Sequence, residues 1–278
     1  MAVFLSRLER ACEANRSLLC VGLDPDPARM PVADVFEFNR AIVDATMDLV
    51  CAYKPNFAFY EAIGLPGLEA LARTVEYIHS VAPNVIVIGD VKRGDVGPSG
   101  EAYASAAFDV WGFDAVTINP WGGFDSAAPF LRREDRGVFV WCRGSNPSSA
   151  DLQDLTVDDG QGRLPVYQHL ARSCKAWNTA GNVGLVVGAT YPQQLEEVRR
   201  VCSEMPILIP GIGAQGGDLE TAVRAGTDSR GRLAIVNSSR GIIYASTGTD
   251  FAESARAEAA QLREGINQAL ASEGKGWP

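Results

Sequence analysis

Asp90, Lys92 and Asp95 lie within one short string, G-D-V-K-R-G-D-V-G. On an extended backbone, residues two apart share a face, so Asp90 and Lys92 would point the same way. Gly94 and Gly97-Pro98 bend the chain around Asp95, which places that carboxylate where strand becomes loop. Such a trio can be an ordinary solvated ion-pair cluster, which contributes little. It can also hold a lysine in its charged form, because nearby carboxylates favour the ammonium. A fixed ammonium can stabilise a carbanion and then hand it a proton.

The preceding residues argue for a special position. Val85, Ile86, Val87 and Ile88 are apolar without alternation, the pattern of a strand covered on both faces. Charges at the end of such a strand are costly to desolvate unless paired. Seven further short apolar runs share this character: Leu18–Leu23, Val50–Lys54, Ala115–Ile118, Val138–Cys142, Val183–Val187, Ile207–Ile209 and Leu233–Val236. Between them lie segments with helical spacing. Phe36, Ile42, Val43, Met47 and Val50 form one stripe, and Leu68, Leu71, Val75 and Ile78 another. Helices are also predicted at Glu101–Trp111, Tyr167–Trp177, Pro192–Cys202, Asp218–Ala225 and Asp250–Leu270. Eight strand-helix alternations of about 30 residues predict an α/β fold, a (β/α)8 TIM barrel, with a doubly wound open sheet as the alternative. No internal repeat or Pro/Ser linker marks a second domain, so residues 1–278 are expected to form one.

The strand ends are polar. Asp24 follows the first, Lys54 and Asn56 the second, Asp90 and Lys92 the third, Asn119 the fourth, and Ser145 with Asn146 the fifth. A barrel gathers these loops on one face, where barrel enzymes keep their chemistry. Each could be a plain loop residue, and Asp24 alone would suit a turn; their convergence is the signal. The Gly-rich turn Gly211–Gly217 after the seventh strand lets backbone N–H groups approach an anion. Asp218 can cap the helix that follows, and Arg240 after the eighth strand offers a forked donor. Together they predict a phosphorylated small molecule. The segment at about 145–166 is too long for a bare connection and reads as a lid or a disordered insert.

Composition narrows the options. The net charge is −9 and the pI about 4.8, which argues against nucleic acid or an anionic membrane as a bulk partner. Hydrophobic residues make up 46% of the chain, enough for a substantial core. No apolar run approaches the ~20 residues of a membrane span. Charges interrupt the N-terminal apolar stretch, which does not fit a signal peptide and predicts a cytoplasmic protein. The six cysteines form no C-x-x-C pair and read as buried thiols. With only two histidines, both in helix-like surroundings, a histidine metal site or a Ser-His-Asp triad has little to work with.

The segments GLDPDP, YKPNFAFYE, GDVKRGDVG, SNPSS, PGIGAQGGD and NSSRGIIYA follow one another at the strand ends. In this order they resemble the orotidine 5′-phosphate decarboxylase family in its longer bacterial form, over about Leu19 to Tyr244. The resemblance implies a (β/α)8 barrel that dimerises across its active-site face. It also implies release of CO2 from orotidine 5′-monophosphate without metal or cofactor. By the same resemblance Lys92 is the proton donor, Asp90 faces the substrate carboxylate and Lys54 completes the charge network. Asp95 is lent to the neighbouring subunit of a homodimer. Asp24 accepts from the ribose, with Asn56 beside it, and Ser145 meets the pyrimidine edge. Gln215 and Arg240 clamp the phosphate, with Gly213, Ser239 and Ser99 as further substrate contacts. Val96 and Ser99 depart from the Ile and Thr usual in shorter members; both keep the chemical type. Three rivals share parts of the pattern: a Mg²⁺-dependent sugar-phosphate relative with the same D-x-K-x-x-D core, a Schiff-base aldolase, and a ligand sensor without turnover. The aldolase needs a neutral lysine, which two flanking carboxylates oppose.

Overall fold

A computed structural model describes residues 3–160, 162–212 and 217–278. Eight parallel strands close into a barrel: β1 (Leu19–Leu23), β2 (Ala52–Pro55), β3 (Ile86–Arg93), β4 (Ala115–Ile118), β5 (Gly137–Arg143), β6 (Val183–Val187), β7 (Ile207–Pro210) and β8 (Ala234–Ser238). Each pairs with its sequence neighbours, and β1 closes on β8 with Cys20 opposite both Ala52 and Asn237. All eight expected apolar runs are strands. Their lack of alternation has a simple cause: one face packs the barrel interior and the other meets the helices, so β1 and β6 are buried throughout. The barrel, not the open sheet, is correct.

The outer helices are α1 (Val3–Asn15), α2 (Val35–Thr46), α3 (Phe57–Ile63), α4 (Leu65–Val81), α5 (Gly97–Ser105), α6 (Phe124–Leu131), α7 (Val166–Trp177), α8 (Pro192–Val201), α9 (Leu219–Gly226) and α10 (Phe251–Ser272). Local chemistry sets several starts. Asp34 caps α2 by accepting from the Glu37 amide at 3.0 Å, and Asp218 caps α9 through the Thr221 amide at 2.8 Å. The helix expected at Glu101–Trp111 begins earlier, at Gly97, with Pro98 in its first turn, where a missing N–H costs nothing. Its end widens into a π turn, Ala106–Val110, in which the Trp111 amide reaches Ala106 O at 2.9 Å.

Helix α1 was not expected, yet Phe4, Leu8, Ala11 and Cys12 bury its inner face. It covers the bottom of the barrel. Phe4 lies so close under Gly137 that a Cβ there would sit 2.3 Å from its ring. The long segment after β5 is neither bare nor shapeless. It forms a short 3-10 turn (Pro147–Ser149), one helical turn (Ala150–Gln153) and a two-stranded hairpin of Thr156–Asp158 with Arg163–Pro165. Arg172 of α7 holds the hairpin end through Asp159 at 2.7 Å. Among the described residues no helix is long and apolar enough to cross a membrane.

Candidate active site

Asp90 is the hub of the barrel mouth. Its side chain is 7% exposed, and Lys54 Nζ from β2 donates to Oδ2 at 3.1 Å. Lys92 Nζ donates to Oδ1 at 2.5 Å and Thr117 Oγ1 from β4 donates to the same oxygen at 2.8 Å. Burial alone would push the Asp90 carboxyl up, but the two ammonium groups and these hydrogen bonds outweigh it and hold it far below the usual range. Burial would likewise lower Lys54; the charges of Asp90 and Asp24 prevail and hold it above the ordinary lysine value. The pair is therefore ionic, as a buried pair with close geometry must be.

Lys92 reaches this hub by an unexpected route. The β3–β4 pairing slips between Gly89 and Arg93, and Lys92 itself has φ +44°. Its backbone is left-handed, not extended, and its N–H donates at 3.1 Å to the Thr117 side-chain hydroxyl of β4 instead of to a backbone carbonyl of that strand. A non-glycine residue in this region carries a strain of roughly 1–3 kcal/mol, which the surrounding contacts must offset. The kink keeps the amine beside Asp90 while 37% of the side chain stays open to the mouth.

The hub floors a cavity of about 230 Å³. Of the predicted residues, Asp24, Lys54, Asn56, Asp90, Lys92, Ser145, Ser239 and Arg240 all line it. Ser239 Oγ donates to Asp24 Oδ2 at 2.6 Å. Asp24 Oδ1 is buried with no hydrogen-bond partner among the described residues, an acceptor held ready for a hydroxyl. Tyr244 fixes the Asp24–Asp26 turn by donating to Asp24 O at 2.9 Å while receiving the Asp26 amide at 2.6 Å. Asn56 uses its side chain to cap α3 through the Ala58 amide at 3.2 Å, and still borders the cavity. Ser145 is held in the wall by Thr190 Oγ1, which donates to its carbonyl at 3.0 Å. Gly188 permits this approach, since a Cβ there would lie 2.7 Å from Ser145 Cα. Arg240 sits exposed at the rim.

Two predicted residues lie elsewhere. Asp95, in the loop after β3, and Ser99, in the first turn of α5 beyond Gly97 (φ +58°), are exposed and do not line the cavity of their own chain. Gly213 and Gln215 fall outside the described residues. What flanks them is closed at its base, where the Gly217 amide donates to Gly211 O at 3.1 Å. Several wall residues escaped sequence reasoning. Thr117 is the lone polar residue of the AVTI run. Trp141 and Arg143 lie in and at the end of β5. Asn237, the first residue of the NSSRGIIYA segment after the eighth run, also lines the cavity, and like Asp24 Oδ1 its Oδ1 is buried with no hydrogen-bond partner among the described residues. A polar residue at the C-terminal end of a barrel strand was the available signal.

Three cationic side chains, Lys54, Lys92 and Arg240, line this cavity among the described residues with a fourth, Arg143, buried in its wall against Asp154, although the whole protein is acidic. A cation-rich pocket at the C-terminal mouth of a parallel barrel defines a (β/α)8 barrel enzyme suited to a small anionic molecule. The family model for orotidine 5′-phosphate decarboxylase / HUMPS matches residues 17–256, and the chain belongs to that family. It is 50% identical over 272 residues to an orotidine 5′-phosphate decarboxylase of Ralstonia pickettii, covering 95% of this chain and 98% of that one. A Roseiflexus sp. (strain RS-1) protein of the same name is 52% identical over 263 residues, covering 92% and 94%. The structure of Leishmania donovani OMP decarboxylase superposes with a TM-score of 0.83 at 38% identity, covering 97% of this chain and 99% of that one.

Proposed function

We propose that this chain, a single barrel domain working in the cytoplasm, converts orotidine 5′-monophosphate to UMP and CO2 in pyrimidine biosynthesis, with Lys92 as the proton donor to C6. The observation that carries the reading is the row Lys54–Asp90–Lys92, ionic and hydrogen-bonded, on the floor of a cation-rich cavity. When the C6–carboxylate bond breaks, its electron pair stays on C6, and the ring delocalises that charge poorly. A preorganised ammonium stabilises the developing carbanion and then transfers one N–H proton to it. Asp90 holds the Lys92 amine in place by accepting from it until that moment, and solvent restores the proton afterwards.

The other wall residues divide the substrate. Asp24, with its unpartnered oxygen, accepts from a ribose hydroxyl, with Asn56 and Ser239 beside it. Ser145 meets the pyrimidine edge, and Arg240 with Gln215 and Gly213 takes the phosphate. The phosphate lies far from C6, yet its binding energy aligns the ring and holds the segment at 145–166 closed as a lid. A substrate lacking it loses rate as well as affinity.

Asp95 completes the site from the partner of a homodimer in this reading. Its exposure and its absence from the lining of its own cavity support that role. Val96 beside it, and Trp121 and Phe124 on the turn that packs against Val96, leave large apolar side chains in solvent. Ser99, on the same turn, would go with it.

The test is a spectrophotometric decarboxylation assay in EDTA. The expected result is conversion of orotidine 5′-monophosphate to UMP, undiminished by the chelator. No conversion would sink the substrate assignment, and activity lost to EDTA would point to the metal-dependent branch of the family.

A further inference from the structure

We infer that Arg143 is a positioning residue for Ser145: it fixes the segment that presents Ser145 to the pyrimidine, without touching substrate itself. The inference rests on the decarboxylase reading above. Arg143 ends β5, and its side chain is wholly buried in the cavity wall. Its guanidinium donates to Gly144 O at 3.1 Å, to Ser149 Oγ, to Gln153 Oε1 at 3.4 Å and to Asp154 Oδ2 at 3.0 Å. Every one of these acceptors belongs to the segment 144–154, which contains Ser145. Gln153 Oε1 also receives the Gly144 amide at 2.8 Å, and Ser149 Oγ donates to Asn146 O at 2.5 Å. The guanidinium lies 3.9 Å from the centre of the Tyr191 ring, so its plane is fixed as well.

The other strongly buried arginine shows what a structural role looks like. Arg199 spends its donors on the carbonyls of Gly226, Cys202, Ser203, Met205 and Leu233, tying together the bottoms of separate elements. Arg143 binds a single loop. Its Nε finds no acceptor among the described residues, so the group is incompletely satisfied where it sits. An apolar side chain of equal volume would fill the space at lower desolvation cost. What it could not supply is a rigid fork that grips oxygens from successive turns of one segment. Thr190, just past the end of β6, also holds the Ser145 carbonyl, so the first residues of that segment are tied to two strand ends.

Arg143→Met and Arg143→Lys should be compared with wild type using three readouts: turnover of orotidine 5′-monophosphate, inhibition by UMP, and inhibition by ribose 5-phosphate, which has no base. Arg143→Met should raise KM and the UMP inhibition constant at least tenfold, while ribose 5-phosphate stays within twofold. Arg143→Lys should recover part of the loss, because charge remains and the fork does not. Arg143→Met combined with Ser145→Ala should be no worse than the poorer single variant. Equal weakening of UMP and ribose 5-phosphate, or losses that multiply in the double variant, would overturn the inference. If Arg143→Met does not fold, Asp154→Asn removes the outermost anchor. A smaller loss of the same base-selective kind supports the inference, and unchanged UMP inhibition overturns it. Failure of the wild type to turn over substrate is separable: it sinks the decarboxylase reading first.

Discussion

Asp90 and Asp114 are both buried carboxylates ringed by cations, and they occupy opposite ends of the barrel. Asp114, just before β4, is bound by Arg7 of α1, by His79 of α4 at 3.2 Å and by the Val87 amide of β3 at 2.9 Å, with Arg136 at 3.5 Å. Burial opposes ionisation of both groups, and in both the surrounding donors prevail and hold the carboxyl below its usual range. Ion pairing and a displaced titration therefore do not separate a site from a staple. The partners do. Those of Asp114 come from three elements and the turn before β5 and occupy both of its oxygens, so it ties the bottom of the fold together. Those of Asp90 come from three neighbouring strands and leave Lys92 half in the open cavity, beside the unpartnered oxygens of Asp24 and Asn237.

The contrast breaks if either end behaves like the other. The largest effect is expected at the mouth: Lys92→Ala should abolish turnover while UMP binding stays measurable by calorimetry. Retention of more than about a hundredth of the activity, a loss under roughly 3 kcal/mol, would contradict the proton-donor role. Next, mixing Lys92→Ala with Asp95→Ala protein should restore activity through hybrid dimers, to about a quarter of wild type for random exchange. No recovery despite proven subunit exchange would remove Asp95 from the shared site. At the bottom, Asp114→Asn should cost about 2 kcal/mol of stability, seen as a lower urea midpoint, because it strands partly solvated cations. Its kcat should match wild type; a large fall would make Asp114 more than a staple.

The smallest effect concerns pH. The Asp90 carboxyl is lower in the folded protein, so its contribution is present above the unfolded value of about 4 and lost as pH falls below it. Lys54 is raised, so its contribution is present below about 10 and lost only at higher pH. The stability gap between wild type and Asp90→Asn should therefore be level from about pH 5 to 9 and shrink in acid. A gap that changes steadily across neutral pH would mean the pair is not fully ionic there.

The barrel was legible because parallel strands covered on both faces leave unbroken apolar runs, and VIVI, AVTI and VGLVV carry little else. The polar strand ends then pointed to the mouth. Helix α1 was hidden because its buried stripe is short and interrupted by Arg7, Glu9 and Arg10. Asp114 escaped notice for a different reason: its partners run from Arg136, 22 residues on, to Arg7, 107 residues back, and no local pattern announces such a meeting. Arg143 lay unseen at the end of a run read only as strand. The spacing of Asp90 and Lys92 was read as extended backbone, and the kink at Lys92 shows that the shared face arises another way.

That kink has a practical side. Copying Asp90 and Lys92 into a regular strand of an unrelated barrel would transfer the letters without the bearing, and the grafted amine would swing off target. A transplant has to carry the slipped pairing from Gly89 to Arg93 and a threonine placed like Thr117 to receive the turned-out amide. The inherited unit here is a misaligned piece of sheet, and the lysine is its pointer.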